Sequence, residues 1–124
     1  MEREAKTSQT RARYVVIDNL FFLMANGGGA AVLRAIAAAE LDVNVADPTG
    51  KTLLMRAVQF AAQYQGKQRR KIVEGISCLL HHGADPNLAD ECGLTAFTSA
   101  LKLGQRDIAE MLFLSSAKFR SRIQ

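Results

Sequence analysis

The sequence predicts an all-α chain built from repeated helix pairs, and three observations lead there. The core must be alanine-rich: 48% of the 124 residues are apolar, yet aromatics make up 6% and Trp is absent. Alanine, leucine, valine and isoleucine in that proportion suit close helix–helix packing better than a sandwich of sheets. A self-match at a fixed offset indicates repetition. Apolar residues also recur at i, i+3, i+4 and i+7. The length is that of one domain of roughly 100–150 residues.

The self-match is found by sliding the chain along itself. At an offset of 43, residues 41–58 (LDVNVADPTGKTLLMRAV) fall on 84–101 (ADPNLADECGLTAFTSAL). Seven of the eighteen pairs are identical: Asp42/Asp85, Asn44/Asn87, Ala46/Ala89, Asp47/Asp90, Gly50/Gly93, Thr52/Thr95 and Ala57/Ala100. Chance supplies roughly one. Asp and Asn favour turns by bonding their own backbone, and Gly permits positive φ. Thr52 and Thr95 stand where a hydroxyl caps a helix N-terminus. Each unit therefore reads as turn, helix, second helix.

Taken in order, residues 14–25 and 30–39 form a first helix pair across the Gly27-Gly28-Gly29 break. Leu54, Ala57, Val58 and Ala61 mark the next helix; Ile72, Ile76, Leu79 and Leu80 mark its partner, which Gly83 stops. Phe97, Ala100 and Leu101 begin the fifth helix, and Ile108, Met111 and Leu112 line the sixth. Ala57 lies 22 residues before Leu79, whereas Ala100 lies 12 before Leu112. Ten extra residues thus fall around 61–71, carrying Lys67, Arg69, Arg70 and Lys71. A longer first helix, a turn near Gly66 and a longer second helix accommodate them.

The strings D-P-T-G-K-T-L-L-x-x-A (47–57), G-A-D-P-N-L-A-D (83–90) and D-E-C-G-L-T-A-F-x-x-A (90–100) resemble the ankyrin repeat. The resemblance covers about residues 14–114. It implies a solenoid of about three helix-pair repeats with β-turn tips, at about 14–46, 47–89 and 90–114. A flexible segment (1–13) is expected before it and a basic tail (115–124) after it. Departures are plain. The family's T-P-L-H is Thr52-Leu53-Leu54-Met55 and Thr95-Ala96-Phe97-Thr98 here, without Pro or His, and Glu40 stands where Gly is expected. The first and last units are atypical, as capping units are.

Chemistry-bearing patterns are weak. T-G-K-T at 49–52 imitates a phosphate-binding loop, but the Gly needed five residues before Gly50 is Val45. His81 and His82 near Cys78 lack metal-ligand spacing, and helix-dipole stabilisation accounts for them. Two cysteines are too few for a disulfide scaffold and read as reduced thiols. Gly27–Gly29 is read as a turn in preference to an anion cradle. The run from Tyr14 to Ala25 is shorter than the ~20 residues of a bilayer span, and Asp18 and Asn19 interrupt it. No enzyme, cofactor or metal is expected.

The resemblance implies that another protein docks on the turn tips and first helices. It nominates Pro48, Thr49, Lys51, Gln59, Phe60 and His82, with Glu91, Cys92, Leu94, Lys102 and Leu103 on the following unit. The expected function is a protein-binding module (adaptor, inhibitor, or effector/immunity-type binder), cytoplasmic and monomeric, with no membrane partner. A net charge of +4 favours an acidic protein surface. The alternative is nucleic-acid association through Lys67–Lys71 and the basic ends (Arg11, Arg13, Lys118, Arg120, Arg122), which lacks the interleaved aromatics that stack bases.

Overall fold

A computed structural model describes residues 2–123, with side chains described from 16 to 118. Among the described residues there are five helices and no strands: α1 (Glu2–Ala38), α2 (Leu53–Ala61), α3 (Gly66–His81), α4 (Ala96–Lys102) and α5 (Arg106–Ile123). The chain is all-helical.

Helix α1 is two helices joined at Gly28, whose φ of 80° and ψ of −171° lie outside the helical region. Only glycine adopts such dihedrals without strain, so the expected break falls on the middle glycine of three. The helix begins at Glu2, so the stretch expected to be flexible is helical in its backbone; no Gly or Pro stands before Gly27 to interrupt it. In the same way α5 runs on to Ile123, through most of the expected tail. Val16–Ala38 is long and apolar enough to cross a membrane by length and composition. In this fold Ile17, Leu20, Phe21, Met24, Val32 and Ile36 from that stretch are buried inside the protein.

The link from α1 to the first turn contains one strained residue. Glu40 has φ 55° and is the one non-glycine in the left-handed region among the described residues; its counterpart Gly83 has φ 94°. A side chain there costs about 1–2 kcal/mol, partly offset by glycine's greater freedom in the unfolded chain. Glu40→Gly is therefore expected to stabilise the protein by about 0.5–1 kcal/mol, read as a higher urea midpoint at unchanged slope.

The duplicated residues build two turns with the same hydrogen-bond scheme. Asp47 Oδ1 accepts from the backbone N–H of Thr49 (2.8 Å) and Lys51 (3.1 Å). Asp90 Oδ1 accepts likewise from Cys92 (2.9 Å) and Leu94 (3.0 Å). Asp47 N–H donates to Lys51 O and Asp90 N–H to Leu94 O, at 2.9 and 3.0 Å. Gly50 and Gly93 close the turns at φ 84° and 80°. Antiparallel bridges then pair Ala46 with Thr52 and Ala89 with Thr95. Thr52 caps α2 by accepting from Met55 N–H, and Thr95 caps α4 by accepting from Thr98 N–H.

Each turn is also bonded to the next unit of the stack. Glu91 N–H donates to Thr49 O at 2.8 Å, joining the two tips. Asn44 clamps the next unit with both ends of its amide: Nδ2 donates to Gly83 O (3.3 Å) and Oδ1 accepts from Asp85 N–H (2.7 Å). Asn87 repeats the role, its Oδ1 accepting from Ser116 Oγ at 2.6 Å.

One core runs through the stack. Its centre is α3, which packs most extensively on α1 and also touches α2 and α5. Ile72, Ile76 and Leu79 are fully buried there, with Leu53 and Val58 from α2 and Ile108 and Leu112 from α5. Small residues allow this closeness: a Cβ on Gly75 would collide with the Met24 side chain.

Candidate functional site

A surface groove of about 320 Å³ opens between α2 and α4, lined by Gln59, Gln63, Leu94, Ser99, Lys102 and Leu103. Its walls come from both helices and their ends: Gln59 lies on α2 and Gln63 on the connector just past it, while Ser99 and Lys102 lie on α4 and Leu103 is that helix's C-cap. Burial of Leu54, Ala57, Val58 and Ala61 uses the rest of α2. Leu94 enters from the second turn, just ahead of the Thr95 cap.

The walls are chemically mixed. The two glutamine amides supply donors and acceptors, Leu94 and Leu103 supply apolar surface, and Lys102 supplies a positive charge. Such a lining suits an extended peptide segment carrying one apolar and one acidic group.

Among the nominated residues, Gln59, Leu94, Lys102 and Leu103 are brought together here. The rest sit elsewhere. Phe60 turns toward α1, its ring 4.4 Å from that of Phe21, with the Arg56 guanidinium 5.5 Å above it. Pro48, Thr49 and Lys51 form the first tip and are half-buried. The Thr49 hydroxyl and carbonyl are both bonded internally. Glu91 and Cys92 are exposed on the second tip. His82 is exposed at the end of α3, its Nδ1 2.9 Å from Cys78 O. Gln63 and Ser99 are groove residues that the sequence does not nominate. Their nearness in sequence to Gln59 and Leu103 is legible, but that the two stretches oppose each other depends on how α2 and α4 pack.

The basic run is divided. Arg69 reaches across to α5, donating to both oxygens of Asp107 (3.1 Å each) and to Gln105 Oε1 (2.7 Å). Lys71 Nζ donates to Asn26 O at 2.7 Å, satisfying a carbonyl at the end of the first arm of α1. Lys67 and Arg70 remain exposed. Arg69 and Lys71 thus clamp α3 to its neighbours. Lys118 is exposed; the side chains of Arg11, Arg13, Arg120 and Arg122 lie outside those described.

The Arg69 guanidinium holds the Asp107 carboxyl below its usual 3.8, against a smaller upward push from burial. A carboxyl lowered in the folded state contributes stability above its unfolded pKa, lost as pH falls through the folded value. Arg69→Ala is therefore expected to lower stability at pH 7, and the gap from wild type is expected to shrink as the pH falls below 3.8 through the folded value.

Among the described residues, no group of three or more His, Cys, Asp or Glu side chains is placed to hold a metal ion. Cys78 and Cys92 are both free thiols.

Residues 73–113 match the family model of ankyrin repeats (many copies). No curated protein matches the chain. The match spans the second half of α3, the whole second turn, α4 and the start of α5, and the first turn repeats the geometry of the second. Ankyrin repeats generally mediate protein–protein interaction. Residues 73–113 of this chain are thus of the ankyrin-repeat type.

Proposed function

We propose that the chain is a non-enzymatic binding module that grips another protein in the groove between α2 and α4. One observation carries the reading: Gln59, Leu94, Lys102 and Leu103, nominated from the family's binding face, line a single open groove. The partner presents an acidic surface to Lys102 and Lys51, and an apolar side chain to Leu94 and Leu103. The module works in the cytoplasm by occupying its partner's surface, as an adaptor, inhibitor or effector-type binder. A rigid stack loses little conformational entropy on binding, so a few anchors suffice.

The array reads as three repeats, at about 14–46, 47–89 and 90–114. The ten additional residues of the middle repeat are spread over its hairpin. Helix α2 has nine residues to the seven of α4, and the connector 62–65 has one more than 103–105. The remaining seven extend the start of α3, which begins thirteen residues before Leu79, while α5 begins six before Leu112. Those two added turns carry Arg69 and Lys71 to their partners.

The test is capture from the native cell with tagged protein, compared across variants. Wild type and Arg70→Glu are expected to retain the same partner. Leu94→Asp and Lys102→Glu are each expected to weaken its retention by about tenfold or more, as loss of an interface anchor does. Retention that ignores the groove substitutions but falls with Arg70→Glu would place the contact on the basic protrusion instead.

A further inference from the structure

We propose that the groove between α2 and α4 seats one carboxylate side chain, carried on an extended peptide segment of the partner, against the Ser99 hydroxyl, the Gln59 and Gln63 amides and the Lys102 ammonium. The proposal deepens the groove-binding reading and rests on it. Ser99 is 6% exposed and lines the groove. Its hydroxyl has no hydrogen-bond partner among the described residues, whereas the nearby Thr95 and Thr98 hydroxyls share a bond at 2.9 Å. Buried hydroxyls are ordinarily paired. Gln59, Gln63 and Lys102 also have no side-chain partner among the described residues, although Arg69, Gln105 and Asp107 are all bonded.

The repeat offset explains the space. Ser99 stands where the middle unit has Arg56, Lys102 where it has Gln59, and Leu103 where it has Phe60. Arg56 spans the corresponding junction between α2 and α1, lying 5.5 Å over the Phe60 ring and pairing with the Asp18 carboxylate. Ser99 and Leu103 are shorter than the residues they replace, and a groove of about 320 Å³ lies open between α2 and α4. The cation here is Lys102, about one helical turn further on, and no acidic side chain lines the groove.

These groups select the chemistry of what binds. Hydroxyl, amide and ammonium all donate, and the ammonium accepts nothing, while an ionised carboxyl is acceptor-only. A carboxylate therefore uses all four groups at once, through bonds roughly twice as strong as neutral ones. A basic side chain would face Lys102 with like charge. Chain-terminal carboxylates are captured by nests of backbone N–H groups, and here the Thr98 N–H is already taken by the Thr95 cap. Leu94 and Leu103 flank the seat and accept an apolar neighbour of the acidic residue.

Two display libraries of short random peptides test the proposal when selected on the full chain: one fused to its carrier at the C-terminus, the other ending in a free carboxylate. Binders from the fused library are expected to carry Asp or Glu close to an apolar residue. Replacing that acid by its amide is expected to weaken binding about tenfold, as is Lys102→Gln. Ser99→Ala is expected to weaken it about three- to tenfold with helical circular dichroism unchanged. Against the amide form of the peptide both protein variants are expected to lose little more, a coupling that general damage to the fold would not produce. No binder from either library, binders confined to the free-carboxylate library, or binding indifferent to both Ser99→Ala and Lys102→Gln would each overturn it. If Leu94→Asp and Lys102→Glu still release the cellular partner, the groove reading survives that failure; if they do not, both fall.

Discussion

Asp47→Ala is expected to destabilise the protein by about 3–4 kcal/mol, whereas Asp90→Ala, at the same place in the second turn, is expected to cost about 1–2 kcal/mol. The two carboxylates organise their turns alike. Their surroundings differ. Asp47 is 4% exposed, and its Oδ1 also accepts from Thr49 Oγ1 at 2.6 Å. Its second oxygen lies 3.7 Å from an Arg56 nitrogen, and that guanidinium pairs in turn with Asp18 of α1. Arg56 Nε is itself buried, with no hydrogen-bond partner among the described residues. Removing Asp47 thus strips a turn and leaves a largely buried cation with one exposed counterion. Asp90 is half-buried and, among the described residues, has no such cation. Urea unfolding of both variants measures the difference, and equal losses would mean that Arg56 draws nothing from Asp47.

The other large effect is expected at the centre of the core. Ile76 is fully buried on α3, the helix shared by the first pair, α2 and α5. Ile76→Ala leaves a cavity that helices held on several sides cannot collapse into, and is expected to cost about 3–4 kcal/mol. Ile108, equally buried on α5, has packed helices on fewer sides, so Ile108→Ala is expected to cost about 2–3 kcal/mol. Against the usual 5–15 kcal/mol of a small domain, either loss is a large share. Denaturant curves give both values. A larger loss at Ile108 than at Ile76 would shift the centre of the core toward the C-terminal end.

Short-range chemistry is legible in the sequence. Asp47, Gly50 and Thr52, with Asp90, Gly93 and Thr95, act through bonds that span at most four residues, so their pattern alone determines the turn and the cap. The Gly28 break is readable for the same reason. Features that depend on packing are not. Phe60 is nominated as a partner anchor because it sits on the first helix of its unit, but the phase of α1 brings Phe21 against it. The run Lys67–Lys71 reads as a free basic patch until α5 delivers Asp107, 38 residues away from Arg69. Gln63 and Ser99 acquire a role only because α4 lies beside α2. Helix α1 reaches back to Glu2 through a charged stretch expected to be flexible, where an unbroken run of helix-compatible residues continues the helix already started.

The groove exists only if the two turns stack tip on tip, and the bond from Glu91 N–H to the Thr49 carbonyl is that contact at atomic level. In isotope-labelled protein, a scalar coupling across this hydrogen bond is the most direct reading of it. The stacked arrangement predicts a detectable coupling and a slowly exchanging Glu91 amide. No coupling, together with exchange at the rate of an unfolded peptide, would contradict it and remove the groove along with it.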